Sequence, residues 1–199
     1  MSDARRPLEA LRAFARAAPP RERCELCAAS LDRRHEHLLD PSRRDVRCAC
    51  AECAFFEGTR QGSAWKRVPD RVERLALDLE GEDWASLGLP IEIAFFLRSG
   101  ERTLALYPSP AGPVESLLPL DSWQSLVAKN PVLARLEPDV EALLVDRRRG
   151  ARETWRVSID RCYRLVGLLR RSWRGFSGGS LVARELEKFF AELEEESRA

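Results

Sequence analysis

The sequence predicts an α+β fold in which a small cysteine-rich module is joined to a domain with a mainly antiparallel sheet of about five strands and C-terminal helices. Three observations carry that expectation. Five of the six cysteines fall within thirty residues, as Cys24-x-x-Cys27 and Cys48-x-Cys50-x-x-Cys53. Between residues 75 and 159, short apolar runs alternate with Gly, Pro and Asn, which is the patterning of strands, turns and a few short helices. From Ile159 onward the apolar residues recur at helical spacing.

The cysteine pattern reads as a metal knot. Two C-x-x-C turns can each give two thiolates to one tetrahedral ion, and the 22 residues between Cys27 and Cys50 are close to zinc-ribbon spacing. Closing such a loop costs on the order of 3 kcal/mol of chain entropy. A structural zinc site contributes roughly 10–16 kcal/mol, so metal binding dominates. The segment needs that help, because its large apolar residues between 21 and 60 are only Leu26, Leu31, Leu38, Leu39, Val46, Phe55 and Phe56.

Five thiols exceed a four-coordinate shell by one. Cys24, Cys27, Cys50 and Cys53 are the expected ligands, with Cys48 as the alternative or fifth thiolate. Two residues upstream on an extended stretch, Cys48 should share a face with Cys50 and sit just outside the first shell. The expected ion is zinc, with iron as the alternative because thiolate-only ligation suits both. Disulfides and a thioredoxin-type motif explain the double cluster less well. His35 and His37, the only histidines, should project to one side of an extended arm with Glu36 on the other. On such an arm they read as solvated or capping groups in preference to ligands.

Composition narrows the function. In 199 residues, 33 basic side chains face 32 acidic ones for a net charge of +1, which argues against nucleic acid as the main partner. Residues 7–18 place Leu8, Leu11, Phe14, Ala15 and Ala18 on one helical face, between Pro7 and the stop at Pro19-Pro20. Arg12 and Arg16 interrupt any apolar signal core, so the start does not read as an export signal and the expected compartment is the cytoplasm. No stretch reads as a membrane span. The expected organisation is an N-terminal amphipathic helix over 1–20, the metal module over 21–62 and an α+β domain over 63–199, with a joint at 58–63.

Within that domain, Leu75, Leu77 and Leu79 alternate like a strand, and Glu82-Asp83-Trp84 opens a helical turn ended by Gly88 and Pro90. The apolar run 91–97 reads as a central strand, turning at Ser99-Gly100 into a hairpin with 103–107. Three prolines in 107–113 predict a rigid loop. Asp121 caps helical segments through Trp123, Leu126, Val127, Val132, Leu133 and Leu136, broken at Asn130-Pro131. Strands over 140–145 and 155–159 flank a solvated turn at Arg147-Arg148-Arg149-Gly150. Ile159, Cys162, Val166, Leu169 and Trp173 share one helical face, which makes Cys162 a core residue. Leu181, Leu186, Phe189, Phe190 and Leu193 share the next. The stretch 170–179 between these helices, a glycine-rich turn after three arginines, reads as an inter-helix turn with Ser180 as cap in preference to an anion site, since it matches no phosphate-binding pattern.

Cys24-x-x-Cys27, His35-x-His37-Leu38-Leu39-Asp40, the Cys48/Cys50/Cys53 cluster, Tyr107-Pro-Ser-Pro-Ala-Gly112, Asn130-Pro131-x-Leu133 and Trp173-Arg-Gly-Phe-Ser-Gly-Gly179 together resemble an uncharacterised bacterial family encoded beside actinobacterial-type nickel–iron hydrogenase genes. That resemblance implies a metal-binding accessory or assembly protein whose partner is a hydrogenase subunit or a maturation protein. Two other classes fit the same cysteines: a rubredoxin-like iron electron carrier and a nucleic-acid-binding zinc-ribbon regulator. No serine–histidine–carboxylate grouping or paired-acid motif stands out, so the expectation is a protein that is not an enzyme.

Overall fold

The computed structural model describes residues 22–89, 91–116, 120–174 and 179–198. The helix expected over residues 7–18 and most of the glycine-rich turn before the last helix lie outside them.

Two antiparallel sheets organise the chain. The first has three strands in the order β2 (Asp45–Ala49), β1 (Glu36–Asp40) and β3 (Lys66–Val68), and α1 (Ala51–Thr59) connects β2 to β3. The second has six strands. Their order is β4 (Val72–Arg74), β9 (Glu153–Ser158), β8 (Glu141–Asp146), β5 (Ile93–Ser99), β6 (Arg102–Ser109) and β7 (Gly112–Ser116). Among the described residues there are four further α-helices, α2 (Gly81–Ser86), α3 (Leu120–Lys129), α4 (Ile159–Ser172) and α5 (Gly179–Glu196).

Alternation along the central strands feeds two cores. Phe95, Leu97, Leu104, Leu106, Leu144, Trp155 and Val157 point to the face covered by α4 and α5. Ala94, Phe96, Ala105, Leu143 and Val145 point to the other, beneath Leu87, Trp123, Leu126 and Leu133. Because both faces are covered, β8 is buried at every position and reads as a continuous apolar run closed by two acids. The acids are partnered. Glu141 receives Arg156 Nε at 2.8 Å and the Glu137 amide at 2.8 Å, and Asp146 takes a two-pronged contact from Arg148 at 2.9 and 2.6 Å.

Four local expectations change. Pro108, Pro110 and Pro113 do not make a loop, because β6 and β7 form a tight hairpin in which Pro108 pairs with Pro113 and Ser109 with Gly112. The sheet tolerates this because β7 is an edge and β5 stops pairing at Leu106, so Pro108 has no neighbour on its other side to donate to. With β4 and β7 gained and the 75–79 run lost as a strand, the sheet has six strands where about five were expected. Leu75 and Leu79 are buried and Leu77 packs beside them, yet 75–80 is not a strand. There the Asn130 side chain replaces a ladder partner, accepting from the Asp78 amide at 2.8 Å and donating to the Asp78 carbonyl at 3.0 Å.

The arginine turn is less solvated than its composition suggests. Arg147 donates to the Leu79 carbonyl at 3.1 Å and Arg148 lies 4.8 Å above the Phe190 ring, whereas Arg149 stays exposed as expected and pairs at the surface with Glu187. On α5, Val182 is buried and Leu181 is 37% exposed, so the core-facing stripe begins one residue later than read. Cys162 is fully buried on α4, where desolvation pushes its thiol well up.

The small sheet lies between two cores. Leu38 of β1 faces Cys24, Leu31, Ala49 and Ala54, whereas Leu39 and Val68 belong to the large core with Trp155. The sheet also runs past the joint expected at 58–63, since β3 pairs with β1 through His37–Val68, Leu38–Arg67 and Leu39–Lys66.

Candidate metal centre

The first C-x-x-C turn is built by the backbone. Arg23 bridges Ser30, the Cys24 amide donates to the Ala29 carbonyl at 2.8 Å, and the Ala28 amide donates to the Cys24 carbonyl at 2.8 Å. Ala28 takes a left-handed conformation, φ 63°, to close the turn. The second turn is a helix start. Cys50 is the N-cap of α1 and Cys53 lies in its first turn. Glu25 straps the two together, its amide donating to the Cys48 carbonyl and its carboxylate accepting from the Cys48 amide, both at 2.9 Å.

These turns bring the sulfurs of Cys24, Cys27, Cys50 and Cys53 within 4.8 Å of one another. All six cysteines are free thiols, and Cys27 Sγ lies 3.7 Å from Cys50 Sγ. A disulfide needs about 2.05 Å. A tetrahedral ion with bonds of about 2.3 Å holds its sulfurs about 3.8 Å apart, which that pair matches. Electrostatics point the same way. Burial pushes the Cys24 thiol up, but the amides of Cys50, Cys27 and Leu26 outweigh it and bring it to about 6. Cys53 moves far upward through its hydrogen bond to Cys50, its burial and the nearby Cys27 and Cys24. Four thiols this close cannot all ionise without a cation among them. The cluster can hold a metal.

Cys48 is elsewhere. The expectation that it shares a face with Cys50 fails because β2 ends at Ala49 and the chain turns into α1, so alternation stops before Cys50. On β2, Cys48 stands opposite His37 in register and groups with His35 and His37, one ligand atom of each lying within 4.8 Å of the others. The histidine rings do project to one side, 4.8 Å apart and edge to face, while Glu36 on the opposite side takes two contacts from Arg67 at 2.8 and 2.7 Å. They are not solvated, however. The His35 side chain is 8% exposed and that of His37 28%, because this face of the sheet packs toward α4.

The sequence model of a family of unknown function, DUF5947, matches residues 23–197. The chain belongs to the DUF5947 family. No curated protein and no solved structure matches it. An uncharacterised family is what the motifs resembled, and the DUF5947 description carries no link to hydrogenases.

In this DUF5947 protein one residue near the site escaped the sequence reading. Asp160, the second residue of α4, places Oδ2 3.0 Å from His37 Nδ1. Its carboxyl is held below the ordinary range although burial pushes it up, because His37 and Ser158 hydrogen-bond it and the His37 and Arg161 charges add to them. No local signal marks it, since 122 residues separate it from His37 and only the docking of the small sheet on α4 joins them. Among the described residues of the DUF5947 chain, no helix is long and apolar enough to cross a membrane.

Proposed function

We propose that this protein is a metal-binding accessory factor of nickel–iron hydrogenase maturation, not itself an enzyme. Cys24, Cys27, Cys50 and Cys53 hold one zinc ion, and the surface around them docks a hydrogenase subunit or another maturation protein in the cytoplasm. The observation that carries the metal reading is the convergence of four sulfurs from a turn and a helix start to within 4.8 Å. A closed set of four thiolates suits a structural or transferable zinc, because it leaves no position for a reacting water.

The docking half rests on exposed apolar surface. Among the described residues, the large exposed apolar side chains are Leu26, Phe55, Phe56 and Leu181, with Phe55 at 67% and Phe56 at 60%. Three of those four belong to the metal module, Leu26 inside the first C-x-x-C turn and the phenylalanines just beyond Cys53. Such side chains beside a rigid metal knot suit a protein partner. The hydrogenase assignment comes from the motif resemblance alone.

One feature favours a second reading, an iron electron carrier. Cys27 is exposed, and a solvent-facing thiolate ligand gives a short path for an electron. Native mass spectrometry with elemental analysis, on protein purified together with its neighbours, separates the two. The accessory reading predicts a colourless protein retaining zinc and a co-purifying hydrogenase subunit or maturation protein. A red, iron-loaded monomer would support the carrier, and protein that keeps no metal at all would remove both.

A further inference from the structure

The His35, His37 and Cys48 group is separate from the four-cysteine cluster and is built differently. Strand alternation turns His37 and Cys48 to the face of the small sheet opposite Leu38, β-pairing sets the two directly across from each other, and Cys48 also packs against the edge of the Cys24 core. Each imidazole has one nitrogen already engaged. His35 Nδ1 lies 2.9 Å from the Asp32 carbonyl, and His37 Nδ1 lies 3.0 Å from Asp160 Oδ2.

A carbonyl or a carboxylate on Nδ1 fixes the tautomer that leaves a lone pair on Nε2. This is the outer-shell arrangement that accompanies metal-ligating histidines. His35 Nε2 is buried and has no hydrogen-bond partner among the described residues, although its side chain is more than nine-tenths buried. A buried polar atom left unpaired is costly, and coordination to an ion would satisfy it. All three side chains line one cavity of about 740 Å³, together with Asp160, Arg161 and Tyr163.

We propose that His35, His37 and Cys48 form a second metal site, distinct from the tetrathiolate centre, which takes a divalent ion of the first transition row through two imidazoles and one thiolate. Two nitrogens and a sulfur select a borderline ion over magnesium or calcium, which want oxygen. Three protein donors leave a coordination position, and it is reached from the cavity. This ion therefore exchanges the more readily of the two, since the four-cysteine ion has no open coordination position. Asp160 is a positioning residue, acting on the ion through the His37 ring.

The test is a titration of the full-length, reduced, metal-free chain with Zn²⁺, followed by native mass spectrometry, and in parallel with Co²⁺ read by its thiolate charge-transfer bands. Wild type should saturate at two equivalents. His37→Ala and Cys48→Ser should each saturate at one, with the tetrathiolate cobalt spectrum unchanged, and Asp160→Asn should bind the second ion about 10–100-fold more weakly. Cys24→Ser should lose the first ion and keep the second, so a failure of the four-cysteine reading is visible separately. The proposal is overturned if wild type saturates at one equivalent, if His37→Ala and Cys48→Ser still take two, or if Cys48→Ser alters the tetrathiolate spectrum. The last result would make Cys48 a fifth thiolate of the first site.

Discussion

His37 on β1 and Asp160 at the start of α4 meet at 3.0 Å, Nδ1 to Oδ2, and so join the metal module to the helix that covers the large sheet. The carboxylate raises the His37 pKa through hydrogen bonding and charge, outweighing a burial that lowers it. In metal-free protein a raised histidine contributes stability that is fully present below its unfolded value, near 6.5, and lost as pH rises through the higher folded value. Asp160→Asn should therefore lower the His37 pKa and destabilise the chain more at pH 5 than at pH 9. NMR titration of the ring protons and urea unfolding at the two pH values check both halves.

Glu141 has a side chain 1% exposed and is met by Arg156, and by Arg71 Nε at 2.7 Å. Stranding such a buried charge without any cationic partner typically costs about 3–5 kcal/mol. Because Arg71 stays on the carboxylate, Arg156→Ala should cost less than that by chemical denaturation, and Arg71→Ala combined with Arg156→Ala should reach it.

Asn130 holds the 75–80 segment in place of a strand, so Asn130→Leu leaves the Asp78 amide and carbonyl without their partner. Such a loss costs roughly 1–3 kcal/mol. Hydrogen exchange at Asp78 should accelerate in the variant, while exchange in β8 and β9 changes only with global stability.

Cys24→Ser should release the tetrathiolate ion and loosen residues 22–60, because their own core is small: Leu31, Leu38, Ala49 and Ala54 beside Cys24. Leu39 and Val68 are anchored in the large core, so β1 and β3 should keep more exchange protection than the turn at 24–27. Equal loss of protection throughout the chain would show that the ion holds the entire fold.

Much of this architecture was legible in the sequence where local and tertiary signals agree. The apolar run at 91–97 had to be a central strand, and the spacing from Ile159 to Leu169 had to be a helix. The reading failed where a neighbour supplied what the local pattern withheld. Three prolines at 107–113 looked incompatible with a strand, yet an edge position removes the need for their missing donors. The leucine alternation at 75–79 looked like a strand, yet a side-chain amide supplied the pairing. At the cysteines, C-x-x-C spacing was enough to foresee which four sulfurs gather. The place of Cys48 was not foreseeable, since it depends on where β2 ends, and the burial of His35 and His37 depends on α4 docking more than a hundred residues later.

Zinc-edge X-ray absorption on His37→Ala protein loaded with one equivalent of zinc tests the central claim most directly. Four sulfur neighbours at about 2.3 Å are predicted, because only Cys24, Cys27, Cys50 and Cys53 can then surround the ion. A shell with fewer than four sulfurs, completed by nitrogen or oxygen, would contradict it.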